Sequence, residues 1–137
     1  MPGLVLDTWA IMAWLKGQQT AAAKVRLLLD AAEHRQGKLM MNVINLCEVF
    51  YLSVKARDME YGQRVLENLR SRIATISAGD ELVMAAANLK ARHAISYADA
   101  FAAATAMQRQ VPLVTGDPEF RALAEQEKTL QLEWIAG

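Results

Sequence analysis

A chain of 137 residues fits one domain, long enough to bury a sizeable core without a covalent staple. Fifteen basic residues balance fifteen acidic ones, which excludes a grip on nucleic acid by overall charge while leaving room for a local basic rim. The single cysteine, Cys47, excludes an intramolecular disulfide, a zinc ribbon and a dithiol redox motif, and points to a reducing, cytoplasmic setting. No basic leader and no run long enough to cross a bilayer stand out.

Leu4 to Leu6 is a short apolar run that stops at Asp7, and the Thr8 hydroxyl can cap a helix from Trp9 to Leu15. Thr20 to Arg35 follows as an amphipathic helix with Val25, Leu28, Leu29 and Ala32 on one face, ended by Gly37. Leu39 to Met41 predicts a second strand, and from Asn45 the chain turns helical through Leu46, Val49, Phe50 and Leu52 to about Arg57. Glu48 would then sit at the third helical position, answering a capping asparagine or the positive helix end. Cys47 beside it is read as a small buried hydrophobe without chemistry.

Met59 to Arg72 predicts another amphipathic helix, Ile73 to Ile76 a β-branched strand, and Asp80 to about His93 a further helix. Lys90, Arg92 and His93 suit that helix's C-terminus, a simpler account than phosphate binding. An alanine-rich helix opens after Ser96 with Asp99 in its first turn, and Val111 to Val114 forms a buried strand. Asp117 caps a helix whose first position is Pro118, and Leu130, Leu132 and Trp134 alternate as a last strand. This alternation predicts an α/β chain, a parallel sheet of about five strands covered by helices on both faces, in a single domain over residues 1–137. Most of the methionines and tryptophans are assigned to apolar faces and core packing.

Asp7, Glu48, Asp99 and Asp117 each stand at a strand end or in a helix's first turn, where each has a capping role worth about a kilocalorie per mole or less. Together they would face one edge of the sheet. Two carboxylates ~5 Å apart repel by roughly 3 kcal/mol at an effective dielectric of 20, so the cluster needs a cation or shared protons. Hard oxygen donors suit magnesium, with manganese as a substitute, and leave room for a phosphate. Metal-assisted phosphodiester hydrolysis is the natural chemistry, with Thr8 and Thr115 orienting water or neighbouring oxygens.

Four stretches then carry a resemblance: Leu4-Val-Leu-Asp7-Thr8, Asn45-Leu-Cys-Glu48-Val, Ser96-Tyr-Ala-Asp99-Ala-Phe-Ala-Ala-Ala, and Leu113-Val-Thr115-Gly-Asp117-Pro-Glu-Phe120. In their order and spacing over nearly the whole chain, the sequence resembles PIN-domain ribonucleases, in particular VapC-type toxins of toxin-antitoxin pairs. The resemblance implies a PIN-like three-layer sandwich and a magnesium-dependent endoribonuclease acting on RNA as a homodimer, silenced by a cognate antitoxin. It makes Asp7 and Asp99 the principal metal ligands, completed by Glu48 and Asp117 directly or through water. Thr8 and Thr115 match the accompanying hydroxyl positions. Tyr97 and Ala98 stand before Asp99, where some relatives carry an extra acid. The helix from Trp9 to Leu15, or Phe50, Tyr51 and Leu52, offers a candidate antitoxin patch.

Rival readings fit less well. A haloacid dehalogenase type of phosphotransferase needs an aspartate where Trp9 stands, and a receiver module needs a lysine where Thr115-Gly116-Asp117 stands. The remaining alternative is a catalytically inert PIN-like domain that binds RNA or protein.

Overall fold

The computed structural model describes residues 3–34 and 38–137. Five short strands alternate with seven helices: β1 (Leu4–Leu6), α1 (Thr8–Leu15), α2 (Ala21–Glu33), β2 (Leu39–Asn42), α3 (Val43–Ala56), α4 (Met59–Arg70), β3 (Ala74–Ile76), α5 (Asp80–Arg92), α6 (Tyr97–Arg109), β4 (Leu113–Thr115), α7 (Pro118–Gln126) and β5 (Leu132–Trp134). The strands form one sheet in the order β3-β2-β1-β4-β5, every neighbouring pair parallel. The fold is the three-layer α/β sandwich that the alternation predicts.

Strand periodicity divides the core in two. Val5, Met40 and Leu113 face the layer of α5, α6 and α7, where Leu89, Phe101 and Phe120 are buried. Their successors Leu6, Met41 and Val114 face α1 to α4, among Ile11, Leu29, Leu46 and Leu69. Both faces of the central strands are therefore covered, which explains why they read as continuous apolar runs. The order runs outward from β1 to β3 and resumes on β1's other side with β4. That reversal opens a crevice at the carboxyl ends of β1 and β4, where Asp7 and Thr115 stand.

Most expected element ends agree to within a residue or two, the ordinary scatter of helix and strand ends. Arg35 and Gly37, expected to close α2, lie outside the described residues. Three assignments are corrected. Asp7 rather than Thr8 caps α1: its carboxylate accepts from the Ala10 N–H at 2.7 Å, while Thr8 is already helical and its hydroxyl donates to Glu48. Asn42, not Asn45, caps α3 by accepting from the Ile44 N–H at 2.8 Å, so Glu48 lies past the first turn and no capping box explains it. Cys47 is exposed, one step off the buried stripe of Leu46, Val49 and Ser53. Likewise Met84 lies off the stripe of Leu82, Ala86 and Leu89, and both it and Met59 reach solvent rather than the core.

Gly62 marks where α4 crosses α3. A Cβ there would lie 2.4 Å from Val54 Cγ2 and 3.3 Å from the Phe50 carbonyl oxygen. Gly62→Val is expected to part the two helices at a cost of about 1–3 kcal/mol, read as a lowered midpoint in thermal unfolding. An unchanged midpoint would show that the crossing has slack.

Candidate metal centre

The carboxyl ends of β1 and β4 are locked together by side chains. Asp7, 1% exposed, accepts from the Ala10 N–H on Oδ1, while its Oδ2 accepts a short hydrogen bond from Thr115 Oγ1. Thr115 Oγ1 in turn accepts from the Asp117 N–H at 3.1 Å, so one hydroxyl ties Asp7 to the loop that delivers Asp117. Gly116 lets that loop pass, since a Cβ there would sit 2.3 Å from the Trp9 ring and 2.9 Å from Ala136 Cβ. Asp117 Oδ1 accepts from the Glu119 N–H at 3.0 Å and, with Pro118 at the first helical position, starts α7.

On α6, Ser96 Oγ accepts from the Asp99 N–H at 3.1 Å, setting the first turn while leaving the Asp99 carboxylate free of capping duty. Asn45 of α3 donates Nδ2 to the Ala98 carbonyl at 3.0 Å and holds the two helices in register beside the site. Glu48, further along α3, receives the Thr8 Oγ1–H at 2.6 Å on one oxygen and faces the Tyr51 hydroxyl at 3.5 Å on the other.

Asp99, Asp117 and Glu119 each present a carboxylate oxygen within 4.8 Å of the others. Two of these acids stood out in the sequence; Glu119 did not. Its position two residues after Asp117 in an acidic first turn was the available signal, but such a turn is explained equally well by the helix dipole. Asp7 and Glu48 are not members of that close triad. Asp7 lies behind it, engaged by Ala10 and Thr115, and Glu48 flanks it. All are coupled electrostatically. Burial pushes the Asp7 carboxyl up to about 8, against the Thr115 and Ala10 hydrogen bonds, and the charges of Asp99 and Asp117 add to the rise. Asp99 is raised to about 6, first by burial, then by Asp117, Glu119 and Glu48, with the Ser96 bond opposing.

Among the described residues the ion pairs join Arg64 to Glu60 and Arg92 and His93 to Glu127, so no basic side chain pairs with any of these five acids. Arg92 and His93 instead fasten the end of α5 to the end of α7, and the Lys90 ammonium bonds the Ile95 carbonyl at 3.0 Å. A crowd of carboxylates without counter-charge, thiolate or imidazole fits a hard divalent cation such as magnesium or manganese.

Comparison with known proteins agrees with this geometry. A family model described as the PIN domain matches residues 4–126, from β1 to the end of α7. No curated protein sequence matches the chain significantly. Among solved structures, the chain is similar to VapBC2 from Rickettsia felis bound to a promoter DNA fragment, with a TM-score of 0.73 and 21% identity over 97% of this chain and 98% of that one. It is similar to DNA-bound VapBC from Salmonella typhimurium, with a TM-score of 0.74 and 20% identity over 99% and 100%. It also resembles VapC20 from Mycobacterium tuberculosis, described as a sarcin-ricin loop cleaving toxin, with a TM-score of 0.70 and 17% identity over 88% and 95%. Identities this low speak for a shared fold. The family match over most of the chain, together with the parallel sheet whose switch point gathers the acids, shows that this protein belongs to the PIN domain family.

Proposed function

We propose that this chain is a divalent-metal-dependent endoribonuclease, the toxin of a toxin-antitoxin pair, which hydrolyses RNA phosphodiester bonds at the sheet's switch point. The observation that carries the reading is the convergence of Asp99, Asp117 and Glu119, two of which act electrostatically on the buried Asp7, with no ion pair to any of them among the described residues. In this reading Asp7 and Asp99 are principal ligands of magnesium or manganese, with Asp117, Glu119 and Glu48 completing the site directly or through water. Bound there, the ion would polarise the phosphate and lower the pKa of an attacking water.

The remaining roles belong to side chains. Thr115 aims Asp7 and the Asp117 loop at once, so the two acids move together. Thr8 donates to one Glu48 oxygen and so fixes the orientation of that carboxylate beside the site. Asn45 and Ser96 fix the turn from which Asp99 projects. The partner reading follows a similar structure from Mycobacterium tuberculosis described as a member of the VapBC family of toxin-antitoxin systems: a cognate antitoxin silences this chain, which acts as a homodimer in the cytoplasm. No helix among the described residues is long and apolar enough to cross a membrane.

The test is cleavage of total cellular RNA by purified, antitoxin-free protein with and without magnesium. Discrete products that need the metal support the reading. Magnesium should also raise the thermal midpoint at neutral pH, by the equivalent of ~2.7 kcal/mol at a hundred times its dissociation constant. Intact RNA and no thermal shift would instead describe an inert PIN-like binding module.

A further inference from the structure

The exposed large apolar side chains among the described residues are Leu27, Ile44, Tyr51, Met59, Met84 and Tyr97. Only Tyr51 and Tyr97 are aromatic, and each lies close in sequence to an acid of the site, Tyr51 one turn after Glu48 and Tyr97 just before Asp99. Their surroundings differ. Tyr97 rests on the buried Phe101 with ring centroids 5.0 Å apart, so packing accounts for it. Tyr51, 47% exposed, directs its hydroxyl at Glu48 Oε2, and Lys55 one turn further along α3 holds its ammonium 5.5 Å from the ring centroid. An apolar ring kept in water contributes nothing to the core. Here its hydroxyl meets Glu48 and a cation lies over one face of the ring, so that a base would take the other.

Resting on the ribonuclease reading above, we propose that Tyr51 stacks on an unpaired base beside the bond to be cleaved, with Lys55 meeting a flanking phosphate. The arrangement matches what single-stranded RNA requires: a π-face for the base, a cation for the backbone, and an adjacent site for the scissile phosphate. A base inside a duplex has no free face to offer, so Tyr51 selects loops, bulges and single strands. The net charge of the chain is zero, and recognition therefore depends on local contacts of this kind rather than on a general basic field.

The experiment measures binding of a fluorescein-labelled, mixed-sequence single-stranded RNA pool, and of double-stranded RNA of equal length, by anisotropy in magnesium with cleavage silenced by Asp99→Asn. In that background Tyr51→Ala and Tyr51→Leu should weaken single-strand binding about ten-fold. Tyr51→Phe keeps the ring and should bind as its parent does, and thermal midpoints should not move. Double-strand binding should be indifferent to all three. Single-strand affinity unchanged in Tyr51→Ala overturns the inference, as does a loss in Tyr51→Phe equal to that in Tyr51→Ala, which would assign the hydroxyl a role through Glu48. Weakened antitoxin binding with RNA affinity intact would assign the ring to the protein partner. A wild-type protein that cleaves while Tyr51→Ala binds normally leaves the ribonuclease reading standing and removes this inference alone. A wild-type protein that neither cleaves nor binds RNA removes both.

Discussion

Asp99→Asn should cut magnesium-dependent RNA cleavage by about a hundred- to a thousand-fold, the scale of removing a principal electrostatic group, while raising the thermal midpoint of the metal-free protein. The opposite signs come from one cause. In the absence of metal, Asp99 is repelled by Asp117, Glu119 and Glu48 and is partly desolvated, which is why its carboxyl is raised to about 6. Asparagine keeps the shape and removes the charge. Its backbone N–H still donates to Ser96 Oγ, so the cap of α6 survives. The midpoint should rise by a few degrees, roughly what one kilocalorie per mole does in a domain of this size. A lowered midpoint in scanning calorimetry would mean that Asp99 chiefly supports α6, and retained cleavage would remove it from the ligand set.

Without metal, stability should fall as pH rises from about 4 towards 8, and magnesium should cancel much of the fall. Asp7 sets the direction, because its folded value of about 8 lies above the ordinary 3.8. The folded state therefore holds a proton that the unfolded chain releases. The resulting stability is fully present below about pH 4 and is lost as pH climbs through the folded value. Asp99 adds the same sign over a narrower window, up to about 6. Glu127 works the other way: its hydrogen bond from His93 lowers its value, and its contribution disappears only as pH falls. Calorimetry at pH 5, 7 and 9 in chelator should show the midpoint dropping by roughly 5 °C or more. Asp7→Asn should flatten the slope. A midpoint that rises steadily with pH in chelator would show that Asp7 is ionised in the metal-free fold.

The strand-end acids were legible because apolar runs stop at them: Leu4 to Leu6 ends at Asp7, and the run through Val114 leads into Thr115, Gly116 and Asp117. Glu48 was found for a partly mistaken reason. Asn42 and Asn45 both precede apolar residues, and local sequence does not say which one caps α3. The choice alters Glu48's distance from the helix end but not the face it shares with the rest of α3. Removing the capping-box account leaves Glu48 with a stronger tertiary one, its bond from Thr8. Glu119 was hidden because a carboxylate in a first turn is ordinary there. Its meeting with Asp99 depends on how α6 and α7 converge at the sheet, which no periodicity reports. Residue type points Cys47 inward, whereas the spacing of its buried neighbours Leu46, Val49 and Ser53 puts it on the outer side of α3.

The hydrogen bond from Thr115 to Asp7 joins residues 108 positions apart, and β1 pairs with β4 across the same span. Two of the strands at the heart of the sheet thus cannot meet until the chain through Thr115 has emerged from the ribosome. Contacts so distant along the chain form late and slowly. On the proposed reading, an emerging or truncated chain is chemically harmless, and the nuclease comes into being in one step when β4 docks. The interval of synthesis is then a built-in delay, during which an antitoxin can already be waiting for the finished toxin.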